Sequence, residues 1–165
     1  MNHNETRPSS RRRVEHALLA VGMPTEAVEF GASARTSAEA ASVIGCEVAQ
    51  IAKSIVFRGK QSGRCILVIA SGADRIDDSK LRSEVGEGVL RADAAFVRDR
   101  TGFAIGGVAP VGHLGEVSVL VERGLPELDP VRATAGTPNA CVRLSAGDLC
   151  RLRGLRLADL RQVQA

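Results

Sequence analysis

The chain has no tryptophan and no tyrosine, and only four phenylalanines among 165 residues. Proteins hold single-stranded bases largely by stacking them on aromatic faces, so a broad base-stacking platform is excluded. Any RNA contact would run through phosphates, sugar and backbone. Lysine is almost as scarce: Lys53, Lys60 and Lys80 are the only three, and the remaining basic charge is arginine. No apolar run approaches the roughly 18 residues of a membrane-spanning helix. The N-terminal MNHNETRPSSRRR is basic, but the apolar segment of a secretory signal does not follow it. We therefore expect a cytoplasmic protein with no membrane contact. Cys46, Cys65, Cys141 and Cys150 are scattered, with no CxxC and no Cys/His pair at ligand spacing, which argues against a metal site. There is no Gly-Lys-Ser/Thr phosphate loop and no G-x-G-x-x-G fingerprint, so no nucleotide cofactor is expected.

What is present is a globular composition, 44% hydrophobic and 25% charged, with a net charge of +3. That length supports one domain with a real core. The slight basic excess permits a nucleic-acid partner without demanding one. Residues 1–9 are polar and read as a disordered tail, with 10–165 as the single domain. Val14, Leu18 and Val21 share one face of a helix predicted over 10–21, stopped by Gly22 and Pro24. Arg11–Arg13 falls in its first turn, where the helix dipole disfavours cations. This run reads as a solvated face, with RNA contact as the alternative.

AVEF (27–30) fits a short strand, and Thr36 with Glu39 forms a capping box for a helix closed by Gly45. IAKSIVF and CILVIAS, separated by the polar RGKQSGR, predict a hairpin. Asp77 and Asp93 are N-cap candidates for helices ending at Gly86 and Gly102. VSVLVE (117–122) and ACVRLS (140–145) are strand candidates. Ser145 and Asp148 open a helix AGDLCRLR that stops before Gly154, and LRLADL is a last strand or turn. Strands and helices mix without βαβ alternation, which predicts one compact α+β domain around a sheet or small barrel.

Two stretches carry candidate chemistry. In QIAKSIVFR (50–58), strand geometry puts Lys53, Ile55 and Phe57 on one face. A lysine on the more apolar face is either a snorkelling side chain or an amine held at the rim of a pocket. In TGFAIGGVAPVGH (101–113), four glycines occur without any carboxylate, lysine or arginine. Such a loop is either a tight connection or a place where backbone N–H groups meet a phosphate or carbonyl oxygen. His113 closes it, and Ser71-Gly72 ends the apolar strand that precedes ADRID. AGTPNA (135–140) is by itself a plain turn.

Taken in order, AKSIVFR, VIASGADRID, LRADAAFVRDRTGFAIGGVAPVGH and AGTPNACVRLSAGDL resemble the YbaK/ProX family of aminoacyl-tRNA editing proteins. These are free-standing relatives of the editing domain inserted in bacterial prolyl-tRNA synthetases. The resemblance covers roughly residues 10–160. It implies a mixed, β-barrel-like sheet surrounded by helices. It also implies metal-independent hydrolysis of the ester joining a wrong amino acid to the terminal adenosine of a tRNA. The expected substrate is a small residue such as Ala, Ser, Thr or Cys on tRNA-Pro or a related tRNA. Lys53 matches the family's essential lysine, and Gly106 to Pro110 its Gly-x-x-x-Pro loop. The resemblance thus assigns catalysis to Lys53, Gly106 and Gly107. It assigns substrate binding to Ser71, Gly72, Pro110, His113, Gly136 and Thr137. Ala109 and Asn139 stand where many relatives have Pro or Ser and His, which bears on pocket shape. The implied partners are the acceptor end of aminoacyl-tRNA and, as a second candidate, an aminoacyl-tRNA synthetase, with no DNA. A non-catalytic tRNA- or synthetase-binding module of the same fold is the rival reading.

Overall fold

The computed structural model describes residues 9–23, 26–30, 36–152 and 154–163. Residues 1–8 of the expected tail 1–9 and the Pro24 stop lie outside them, while Ser9 caps α1, its side chain accepting from Arg12 N–H. The described elements are α1 (Ser10–Ala20), β1 (Ala27–Glu29), α2 (Ser37–Ile44), β2 (Ile51–Gly59) and β3 (Cys65–Ser71). They continue with α3 (Asp78–Val85), β4 (Val89–Arg91), α4 (Ala94–Thr101), β5 (Ser118–Glu122) and β6 (Val131–Thr134). The chain closes with β7 (Ala140–Leu144), α5 (Ala146–Arg151) and β8 (Leu155–Ala158). The architecture is a single α+β domain on one mixed sheet, as expected.

Local chemistry explains most boundaries. Thr36, Asp77, Asp93 and Ser145 each accept a backbone N–H of the first helical turn through the side chain. Gly45, Gly86 and Gly102 end their helices in the left-handed conformation. The last helix is shorter than the pattern predicted. It ends at Arg151 because Leu152 turns extended and is buried.

The sheet runs β1-β7-β6-β2-β3-β5-β8, with β4 added to β2. β2 and β3 form the predicted antiparallel hairpin, while β3–β5 and β5–β8 are parallel. β3 is buried on both faces, which is why CILVIAS reads as an unbroken apolar run. Its alternate residues feed two cores. Leu67 and Ile69 join Val14, Phe103, Val121 and Val142 in the larger one. Ile66, Val68 and Ala70 join Phe57, Leu81 and Leu160 in the smaller one. The larger core collects residues from five strands, as the inside of a curled sheet does, although the pairing runs from β1 to β8 without closing. β4 and β6 were not anticipated. At three and four residues they are too short for an alternation pattern, and only pairing with distant strands defines them, β4 with β2 and β6 with β7 and β2.

One buried carboxylate ties the end of the chain to the sheet. Glu122, at the end of β5 and 2% exposed, accepts N–H bonds from Leu160 (2.6 Å), Arg161 (3.0 Å) and Gly124 (3.2 Å). Glu122→Leu leaves these donors without their acceptor. It should cost roughly 1–3 kcal/mol in urea unfolding. An unchanged midpoint and slope would show that the segment after β8 adds nothing to stability.

Candidate functional site

Among the described strands, β2 has neighbours along one edge only at its two ends. The ladder to β6 covers Ile51 and Ala52, and the ladder to β4 covers Phe57 to Gly59. On the other edge, Gly72 N–H donates to Ile51 O and Gly59 N–H to Arg64 O, so odd-numbered residues face β3. The backbone N–H and C=O of Ser54 therefore point into the gap between β6 and β4. Its buried hydroxyl also has no hydrogen-bond partner among the described residues. Buried polar groups are normally paired, so an orphan at this place marks a site built for something else.

A cavity of about 380 Å³ opens over this gap, in the size range of small-molecule sites. Residues 51–55 line it from β2, with Ala40 and Ile44 of α2 and Ala133 and Ala140 of the flanking strands as apolar walls. Three cations, Lys53, Arg91 and Arg132, also line it, and no aspartate, glutamate or histidine does so among the described residues. The site therefore favours an anion and supplies no ordinary general base. Cys141 is in the lining, but burial pushes its thiol pKa up, so it is no ready nucleophile. Among the described residues, no three His, Cys, Asp or Glu side chains gather as metal ligands.

Lys53 shares its sheet face with Phe57 and Ile55 at the rim of the smaller core, as strand geometry predicted. Its amine donates to the carbonyl of Asp74 in the loop after β3. One of its three N–H groups is thereby fixed, and among the described residues no partner takes the other two. Burial holds its pKa below the ordinary lysine value. The Asp74 carboxylate opposes that shift, and Arg91 and Arg75 add to it.

Gly106, at φ +84°, also lines the cavity, and its N–H has no partner among the described residues. Gly107 has a different task. Its N–H closes a turn onto Ala104 O at 2.9 Å. A Cβ there would meet Thr137 Cα at 3.1 Å and Gly136 O at 3.2 Å. The two glycine-containing loops are thus packed backbone to backbone, and Pro138 brings the second loop to the cavity wall.

The remaining predicted residues support this arrangement from outside the lining. Ser71 is buried and donates its hydroxyl to Ala49 O at 2.7 Å. Gly72 has no room for a side chain, because a Cβ would lie 2.6 Å from Val48 O and 2.7 Å from Ser37 Cβ, which sets α2 against the hairpin. Pro110 is buried, and His113 bonds Ala109 O through Nε2 at 2.7 Å and meets Phe103 edge-on. Gly136 and Thr137 back Gly107. Ala109 is fully buried and Asn139 is exposed, its carbonyl accepting from Phe30 N–H, so neither departure from the family pattern removes a lining group. Sequence reasoning missed Arg91 and Arg132, which sit on the two short unpredicted strands, and Ser54, whose only sign was its place beside Lys53.

The run Arg11–Arg13 is not uniformly solvated. Arg12 is exposed, and Arg11 pairs with Glu15 and Glu29. Arg13 points inward, donating from Nη2 to Gly102 O at 2.6 Å with its guanidinium 4.8 Å from the centre of the Phe103 ring.

Residues 32–152 match the aminoacyl-tRNA editing domain family. The uncharacterized protein YwhH of Bacillus subtilis (strain 168) is 32% identical over 124 residues, which is 75% of this chain and 78% of that protein. The proline–tRNA ligase of Limosilactobacillus fermentum is 32% identical over 96 residues, 56% of this chain but only 17% of the ligase. Among solved structures, a candidate trans-editing enzyme for prolyl-tRNA synthetase superposes with a TM-score of 0.86 at 41% identity, covering 94% of this chain and 99% of that one. The hypothetical protein APE2540 gives 0.83 at 27%, covering 91% and 99%.

His113 makes the glycine loop sensitive to acid. Burial lowers its pKa, Arg13 lowers it further, and only the bond to Ala109 opposes them. As pH falls, the unfolded chain binds the proton first, near the ordinary value of about 6.5. The stability due to the neutral ring is thus complete above that value and lost as pH drops through the lower folded one. Between about pH 7.5 and 5.5, the wild-type Tm should fall further than that of His113→Gln. Equal falls would show that the ring does not titrate with folding.

Proposed function

Because the chain belongs to the aminoacyl-tRNA editing domain family, we propose that it hydrolyses the ester of tRNA carrying the wrong small amino acid. The observation that carries this reading is the convergence of Lys53, Gly106 and the unpaired edge of Ser54 on one cation-lined cavity. The match to a candidate trans-editing enzyme along nearly its whole length supports action on a tRNA charged elsewhere.

The substrate's phosphate or ribose end sits with Lys53, whose charge and the two N–H groups that no described residue takes meet oxygen acceptors. Arg91 and Arg132 extend the same attraction to the acceptor-end backbone. The N–H and C=O of Ser54, which no described strand pairs, offer the aminoacyl group an edge to pair with, its ammonium donating to the carbonyl. Alanine walls limit the side chain to a small one. A hydroxyl or methyl more or less changes binding by only about 1–3 kcal/mol, so discrimination among Ala, Ser, Thr and Cys is a matter of pocket shape.

An aminoacyl ester is already activated, so the reaction needs positioning and charge stabilisation more than a strong nucleophile. Water adds to the carbonyl carbon, and the Gly106 N–H meets the developing oxyanion. The carbon–oxygen bond to the ribose breaks, and the 3′ oxygen leaves with the proton given up by water. Gly107 cannot share this task while its N–H closes the turn. With no carboxylate or histidine in the described lining, the neighbouring ribose hydroxyl is the group that relays the proton.

A deacylation time course on tRNAs charged with Ala, Ser, Thr, Cys and Pro tests the reading, with Lys53→Ala alongside. We expect rapid loss of one or two esters, abolished by the substitution at nearly unchanged Tm. No hydrolysis across the panel by folded protein would instead favour the binding module. A tRNA ending in 2′-deoxyadenosine, with the amino acid on the 3′ oxygen, should resist the enzyme. Undiminished turnover of it would eliminate the ribose relay.

A further inference from the structure

The family match begins at residue 32, yet the firmest side-chain hold on the glycine loop comes from residue 13. Resting on the editing reading above, we infer that Arg13 is a positioning residue, which sets the Gly106 loop against Lys53 from behind the cavity and makes α1 part of the working site.

One side chain pins both ends of the loop. Arg13 Nη2 donates to Gly102 O at 2.6 Å, and Nε donates to Gly112 O at 3.4 Å. Among the described side chains no other bonds to both ends. The guanidinium lies 4.8 Å from the centre of the fully buried Phe103 ring, and Phe103 meets His113 edge-on at 6.0 Å and 81°. His113 in turn holds Ala109 O. The contacts therefore run unbroken from α1 through Phe103 and His113 to the residue three positions from Gly106.

The α1 backbone adds a second, independent constraint. A Cβ on Gly112 would stand 3.1 Å from Arg13 O, and one on Gly136 would stand 2.7 Å from Ser10 O. Both glycine-containing loops thus rest on the first turn of α1, one of them directly beside Arg13. A planar fork suits two carbonyls and an aromatic face at once, whereas an ammonium reaches one acceptor at a time. A displacement of about 1 Å at a reacting centre costs on the order of 100-fold in rate, so a loosened loop should show in turnover rather than in affinity.

The test compares Arg13→Met, which keeps the apolar stem and loses the fork, and Arg13→Lys with the wild type. For each, deacylation kcat and KM are measured on the best tRNA of the panel, and amide hydrogen exchange is followed without substrate. For Arg13→Met we expect kcat to fall by roughly 10- to 100-fold with KM within about threefold. Amides of 104–113 should exchange faster while those of β2 and β3 are unchanged. Arg13→Lys should recover only part of both effects. Wild-type kcat with unaltered loop exchange in Arg13→Met overturns the proposal. Faster exchange in β2 and β3 as well also overturns it, because Arg13 then serves general stability. A wild-type chain without deacylase activity refutes the editing reading instead, and loop exchange still decides whether Arg13 holds the loop.

Discussion

Everything about the site depends on how one edge of β2 is shared. β6 takes its first two residues and β4 its last three, and the stretch between them is left without a strand. An open edge is normally a hazard that invites pairing with another chain. Here it is short and roofed by α2 and the loop ends, so it becomes the floor of a cavity. The pairing at both ends also holds the floor still. β6 and β4 deliver Arg132 and Arg91 to opposite ends of the gap, while the strand's own alternation places Lys53 on one side and Ser54 toward the other.

The loops that complete the cavity depend on close backbone approach rather than on side chains. Gly107 lies against Gly136 and Thr137, Gly72 against Val48 and Ser37, and Gly112 against Arg13. Any Cβ at these places would push an element away from the floor. Such packing leaves a loop little freedom but gives it few anchors of its own. Arg13, Phe103 and His113 supply the anchors, and they reach in from outside the cavity.

The electrostatics is one-sided. Cations line the cavity with no carboxylate among the described lining residues, and partial burial lowers the basicity of Lys53 although the Asp74 carboxylate, outside the lining, opposes that shift. That arrangement suits holding an anionic, already activated substrate better than creating a strong nucleophile. It agrees with membership of the aminoacyl-tRNA editing domain family and with the shared fold of the candidate trans-editing enzyme.

Much of the architecture was legible in the sequence because it rests on local chemistry. Asp77, Asp93, Thr36 and Ser145 can cap only the helical turn immediately after them, and the apolar runs 51–57 and 65–71, joined by a short polar connection, have one good pairing. The resemblance to the editing family picked out Lys53 and the Gly106 loop because those positions share recognisable local motifs. The features that the chain alone did not disclose depend on partners distant in sequence. β4 exists as a strand only through β2, and β6 only through β7 and β2, so Arg91 and Arg132 had no visible place. Nothing in the triplet Arg11–Arg13 told its third member from the first two. Its role was decided by the tertiary packing of α1 against Gly102 and Gly112, 89 and 99 residues away in the chain. The sequence determined the capped helices and the long strands, and its resemblance to the editing family named the lysine and the loop. Only the packing decided which backbone groups were left unpaired to meet a substrate, because a free N–H or C=O is defined by the neighbour that is absent.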